Sequence, residues 1–130
     1  MSGFTDATEA AVLDCYFNQT NITAPTAIYM ALYSANPADA GSGGTELSGN
    51  NYSRVDVTAS FSASSGGACT NDVAVAFPVA SGAWSAVTGF GFYTASSGGT
   101  PFFWDTCSLG VLALNEFHNF AIGAIDLALD

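Results

Sequence analysis

Apolar and polar positions alternate with a period of two along most of the chain, which is the pattern of half-buried β-strands. The strongest example lies within residues 84–105, where the aromatic-rich runs Val87–Ala95 and Thr100–Asp105 flank the tetrapeptide Ser96-Ser97-Gly98-Gly99. Aromatic and β-branched residues suit a pleated surface, and a Gly pair between two such runs favours a tight connection. These residues therefore predict a β-hairpin at the centre of the fold.

The side chains of this hairpin divide between two faces. Phe90 and Phe92 share one face of the first run, while Gly89 and Gly91 on the other leave room for a large side chain or another backbone. In the second run, Phe102 and Trp104 alternate with Phe103 and Asp105. We expect four of these aromatic residues to be largely buried, namely Phe90, Phe92, Phe102 and Trp104.

Further strands are predicted on both sides of the hairpin. Alternating runs occupy residues 26–33, 52–61, 72–77 and 125–130. Residues 109–114 and 116–122 predict a second hairpin with its connection near Asn115. Seven or eight short strands at regular spacing indicate an all-β fold. We expect residues 1–130 to form one antiparallel β-sandwich or jelly-roll-like domain.

One segment has a helical pattern, residues 6–19. Asp6 and Glu9 have the spacing of a capping box, and the stripe Val12, Leu13, Tyr16 and Phe17 predicts an amphipathic helix lying on a sheet. The alternative interpretation is an arm that reaches a neighbouring subunit, with Phe4 as its anchor.

Two Gly- and Ser-rich segments, residues 40–51 and 62–71, predict long exposed loops. Long loops in a compact domain are often functional. Together with the N-terminal segment, they form the predicted contact surface. The candidate interface residues are Phe4, Gly43, Gly44, Arg54, Gly66 and Gly67.

The charge of the chain limits its partners. It contains no Lys, one Arg and eleven acids, for a net charge of −10. Nucleic-acid binding needs clustered cations to neutralise phosphates, and anionic membranes attract basic segments, so neither is an expected partner. The charge itself indicates solubility, or a partner surface that is basic or coordinates cations.

Candidate chemistry is sparse. His118 is the single His and is expected to be structural, and no nucleophile–base pair or phosphate-binding Gly motif occurs, so neither an enzyme nor a cofactor is predicted. Asp39 and Glu46 with loop carbonyls are a weak candidate for a calcium site, without EF-hand spacing. Arg54 is expected to pair with a carboxylate or with backbone carbonyls.

The three cysteines are odd in number and lack metal-type spacing, so free thiols and a reducing site of synthesis are expected. The N-terminus has no basic segment before its apolar part and does not predict a secretory signal. No apolar run approaches the roughly 20 residues that cross a bilayer.

The order of short motifs resembles a family of small tailed-phage virion proteins often labelled tail fibre proteins. The motifs are APTAIYMALY (24–33), NPAD (36–39), YSR (52–54), VAFP (75–78), WSAVTGFGF (84–92) and SGG (97–99). The resemblance implies a β-rich, non-enzymatic protein that acts by assembly, made in the bacterial cytoplasm and carried in the virion. The segment from Leu109 departs from the Pro- and charge-containing ending of that family.

Two functions remain open from the sequence. The first is a capsid decoration (cement) protein on the outer surface of the capsid, with the major capsid protein and copies of itself as partners; the resemblance implies a homotrimer. A small domain without shaft repeats favours this interpretation. The alternative is a tail-associated, tail-fibre or receptor-binding module, with carbohydrate bound through exposed Tyr or Trp as one possibility.

Overall fold

The computed structural model describes residues 3–129, which form ten short strands and one helix. In chain order these are β1 (Gly3–Phe4), α1 (Asp6–Phe17), β2 (Tyr29–Ala35), β3 (Thr45–Glu46), β4 (Val55–Asp56), β5 (Ala68–Thr70), β6 (Val75–Ala76), β7 (Val87–Tyr93), β8 (Phe103–Leu109), β9 (Asn119–Phe120) and β10 (Asp126–Ala128). All pairings are antiparallel, so the prediction of an all-β, antiparallel fold with one short helix is confirmed.

The main sheet has six strands in the order β1-β8-β7-β2-β3, with β4 also paired to β2. The predicted hairpin is its centre, because β7 pairs with β8 on one side and with β2 on the other. The second strand of the hairpin runs to Leu109, and residues 94–102 connect the two strands. The connection is therefore longer than the predicted tetrapeptide.

The two faces of the hairpin carry different cores. Phe90, Phe92 and Phe103 belong to the large apolar core, whereas Trp104 lies in a smaller cluster with Tyr33 and Tyr93. Gly91 leaves the space that the Tyr33 ring occupies, since a Cβ there would meet that ring at 2.8 Å. Burial is confirmed for Phe90, Phe92 and Trp104. It is not confirmed for Phe102, which is half-buried because part of its ring lines an open apolar groove.

The predicted hairpin over residues 109–122 is wrong. Its turn exists, since Asn115 has a φ of 68°, but β9 pairs with β6 rather than with residues 109–114. The other short ribbon joins β5 to β10. The buried Asn71 side chain braces that region: its amide donates to the carbonyls of Val73 and Ala121, and its oxygen accepts from the Ile125 amide at 2.9 Å.

The two predicted soft loops are partly ordered into the sheets. Residues 40–51 include β3 and the buried Leu47, whose amide donates to the Leu32 carbonyl at 2.9 Å. Residues 62–71 include β5 and Asn71. Leu47 is stabilised by burial of its apolar side chain. The cost of burying the Asn71 amide is offset by its three hydrogen bonds.

Helix α1 ends two residues earlier than predicted and has a different cap. Thr5, not Asp6, precedes the first helical residue, and the Thr5 carbonyl accepts the amides of Thr8 and Glu9. The helix stops at Phe17 because Gln19 takes a left-handed φ of 55° and the Thr20 amide returns to the Asp14 carbonyl.

Within residues 3–129, no helix has the length and apolar character that crossing a membrane requires.

The prediction that α1 lies on a sheet through its apolar stripe is wrong. None of its residues is buried. Thr8, Val12 and Cys15 are half-buried, whereas Leu13, Tyr16 and Phe17 are exposed. The four residues of the predicted stripe span an arc of about 140° around the helix axis. Only Val12, at one edge of that arc, is turned toward the rest of the protein.

Candidate functional site

The single cation of the chain is at the centre of a polar cluster made of Glu46, Tyr52, Arg54 and Tyr93. Arg54 Nε donates to Glu46 Oε1 at 2.8 Å and its Nη2 donates to Glu46 Oε2 at 2.7 Å, which is a bidentate ion pair. Its Nη1 donates to the carbonyls of Ala95 and Gly98, both at 2.9 Å. The guanidinium also lies 3.5 Å from the centre of the Tyr93 ring. Arg54 therefore clamps the connection between β7 and β8 to β3.

The surrounding hydroxyls complete this cluster. Tyr52 Oη accepts from the Leu32 amide and donates to Glu46 Oε1, each at 3.0 Å. Tyr33 and Tyr93 share a hydrogen bond of 2.7 Å between their hydroxyls. Burial raises the pKa of both Tyr33 and Tyr52, so these hydroxyls stay protonated. Burial lowers the pKa of Arg54, but the hydrogen bond and charge of Glu46 outweigh it and the net shift is upward. The cluster is thus internally satisfied.

A polar recess of about 380 Å³ opens above this cluster. Arg54, Glu46, Tyr33 and Tyr93 line it, and its rim is formed by two Gly-containing segments, residues 41–44 and 98–100. Gly44 is required there because a Cβ would lie 2.8 Å from the Pro37 backbone nitrogen. Three of the predicted interface residues, Gly43, Gly44 and Arg54, therefore meet at one place.

A second, apolar groove of about 280 Å³ lies on the opposite face of the sheet, on the side of the large apolar core. Its lining includes Phe4, Phe61, Phe102 and Leu127, and Gly67 is at its edge. Phe4 packs edge-to-face on Phe103 of its own chain, with ring centres 5.4 Å apart. Phe4 thus anchors β1 to its own sheet. The predicted interface residues divide between the two recesses, and Gly66 adjoins the second.

The third feature is the outer side of α1. Leu13, Tyr16 and Phe17 are 59%, 78% and 84% exposed. Their spacing of three and four residues places them on one side of the helix. Exposed apolar residues occurring singly are normal, whereas a contiguous group on one helix marks a contact surface.

The other residues with reactive chemistry are His118, which is buried, and three cysteines, which are half-buried. His118 is buried beside Trp84, and burial lowers its pKa against an opposing influence of Glu116. Cys15, Cys69 and Cys107 are unpaired, and burial, with the Asp105 charge, raises the pKa of Cys107 to about 11. The thiol of Cys107 is therefore protonated at neutral pH.

The structure does not assemble the suggested cation ligands. Glu46 is engaged by Arg54, and within residues 3–129 no group of three His, Cys, Asp or Glu side chains is placed to hold a metal ion. Both tryptophans, Trp84 and Trp104, are buried at 3% and 4% exposure. They do not form the exposed platform that the carbohydrate interpretation assigned to Trp.

Sequence reasoning missed the partners of Arg54. From the sequence, Glu46 was a candidate calcium ligand, and the tyrosines at 33, 52 and 93 were predicted only to be strand residues. One signal was present: a lone cation among eleven acids has many available carboxylates, and Glu46 lies eight residues before it. The contacts with the Ala95 and Gly98 carbonyls follow from the sheet order and had no sequence signal.

The fold and its surfaces are those of a small antiparallel β protein, and comparison with known families places it among phage fibre proteins. The model of the family described as podophage GP4 fiber I protein gp80 matches residues 3–128. The chain belongs to this family. The resemblance to phage virion structural proteins is therefore confirmed, and family membership implies a component of the virion. No curated protein matches the chain.

Proposed function

We propose that the protein is a non-enzymatic structural component of the phage virion, built into its fibre apparatus and held there by protein–protein contacts. The observation that carries this proposal is the family match over residues 3–128, whose description names a fibre protein. The placement of polar and apolar side chains supports it. Arg54 and Glu46 make their hydrogen bonds within the protein, while large apolar residues of α1 are exposed to solvent.

Capsid decoration is the second candidate. It is favoured by the shape of the described chain, in which residues 3–129 form short strands packed around a large and a small apolar cluster and show no elongated shaft. In this case the partner is the major capsid protein, and a homotrimer on the capsid lattice is the expected assembly. A lattice offers many equivalent sites, which raises the occupancy of a weakly bound protein.

The two locations are separated by labelling intact virions. Gold-labelled antibody against the protein, viewed by electron microscopy, should decorate the tail or its fibres. Label confined to the capsid surface would replace the fibre proposal with decoration. Absence of the protein from purified virions, measured by mass spectrometry, would overturn both.

Oligomeric state is a separate measurement. Light scattering on the purified protein should report three times the 13.2 kDa chain mass if the homotrimer forms without the virion. Because free copies at −10 repel one another, the trimer should be favoured at higher salt. If the purified protein is a monomer at every salt concentration, a homotrimer could form only on the virion.

A further inference from the structure

The outer side of α1 presents apolar and acidic residues together. With 100° between successive residues, Asp6 and Glu9 lie on the same side as Leu13, Tyr16 and Phe17. The acidic residues occupy the first turns and the large apolar residues the last. All five are exposed. The side is therefore an apolar patch with a negative end.

This helix has little else to stabilise it. A helix of 12 residues is marginal in water by itself, and packing of one face usually supplies its stability. The inner side of α1 supplies only the half-buried Thr8, Val12 and Cys15. Large aromatic residues on the opposite side fit a second surface that packs there.

Charge decides what that surface is. A partner that covers the patch also contacts Asp6 and Glu9. Because the charges across an interface are complementary, the partner should place cations opposite these two carboxylates. The chain has no Lys, and its one Arg is 4% exposed and donates to Glu46, Ala95 and Gly98. Apart from its N-terminal amine, a second copy has no cation to place there. Two α1 helices packed in parallel would oppose acid to acid, and two packed antiparallel would cover the acids with Tyr16 and Phe17.

We propose that the outer side of α1 docks on a different virion protein, whose surface is an apolar patch flanked by basic residues that include lysine. This inference rests on the proposed structural role in the virion. It adds the surface through which the protein is held and the chemistry of the partner. Leu13, Tyr16 and Phe17 fill the apolar patch, and Asp6 and Glu9 face the cations.

The first test is incorporation into virions. Phages whose gene encodes Tyr16→Ser/Phe17→Ser are compared with wild type and with a control, Val111→Ser/Ile122→Ser, whose residues are 71% and 68% exposed elsewhere. Mass spectrometry of purified virions should show at least a tenfold loss of the helix variant and less than a twofold change for the control. A melting curve of each purified variant should match that of wild type, which checks that folding is intact. Incorporation of the helix variant at the level of the control overturns the inference.

The second test identifies the partner. A carbodiimide joins carboxylates to lysine amines in contact, and because this chain has no Lys, any lysine linked to α1 belongs to a different protein. In wild-type virions, Asp6 or Glu9 should be linked to a lysine of another virion protein. Links from other acids of the chain but none from α1 to lysine overturn the inference. A purified oligomer that Tyr16→Ser/Phe17→Ser dissociates overturns it in favour of a second copy.

These outcomes are distinct from failure of the proposed function. Wild-type protein missing from virions would remove the structural role itself. Wild-type protein present in virions, with the helix variant equally present, would remove only the docking role of α1.

Discussion

The β7–β8 hairpin and helix α1 both carry large aromatic residues, but those of the hairpin are mostly buried and those of the helix are exposed. Phe92 is 2% exposed and packs against aromatic rings, whereas Phe17 is 84% exposed. The hairpin is held by strands on both sides and by the Arg54 clamp, while α1 is followed by an irregular segment and packs through one half-buried stripe. We therefore expect the hairpin to contribute more to the stability of the domain than α1, whose outer side is open to contacts with other molecules.

The largest effect that tests this comparison should come from Phe92→Ala. Its ring contacts Phe61, Phe90 and Phe102, so truncation leaves a cavity and should cost about 3–5 kcal/mol of unfolding free energy. Urea denaturation followed by fluorescence measures it. The matched control, Phe117→Ala, removes a ring that is 51% exposed and should cost less than about 1 kcal/mol. Equal costs would show that the hairpin is not the centre of the core.

Arg54→Ala should come next, at about 3 kcal/mol, because it leaves the Glu46 carboxylate and the carbonyls of Ala95 and Gly98 without their donor. Denaturation curves measure the cost. Arg54→Lys keeps the charge but cannot bridge Glu46 and both carbonyls, so it should fall between wild type and Arg54→Ala. A fully stable Arg54→Ala variant would mean that the hairpin connection needs no clamp.

Gly91→Ala should cost about 1–3 kcal/mol, because its Cβ would collide with the buried Tyr33 ring, which is tied to Tyr93. The midpoint of thermal unfolding measures this effect. Gly110→Ala is the matched control, since no atom lies within 4 Å of the added methyl. Unchanged stability for both variants would contradict the close packing on this face of the sheet.

The smallest effect is expected on α1. Leu13→Ala should change unfolding free energy by less than about 0.5 kcal/mol, because the side chain is 59% exposed and touches no core. Val12→Ala, one residue earlier on the half-buried side, should be the more costly of the two. Calorimetry of both variants tests the orientation of the helix. A greater loss for Leu13→Ala would place the outer side of α1 against its own domain.

Local pattern was enough to determine much of this protein. Alternation predicted β2, β7 and β8, since a strand side chain points to one of two faces and sequence parity records which. The capping and apolar spacing predicted a helix near residues 6–19, and the lone Arg54 predicted a buried or interfacial pairing. The order of motifs indicated a phage virion family, which the family match confirmed.

Tertiary structure alone decided how these pieces combine. β9 pairs with β6, some forty residues away, in a separate two-stranded sheet. The local pattern could not indicate this, because alternation shows that a segment is a strand and not which distant strand it pairs with. Glu46 meets Arg54 because β3 and β4 both pair with β2. Leu13, Tyr16 and Phe17 face outward because the start of α1 is fixed at Thr5, which donates to the Phe102 carbonyl and is hydrogen-bonded to Thr8. Periodicity specifies which residues share a side of a helix, but the attachment of that helix decides which side is left exposed.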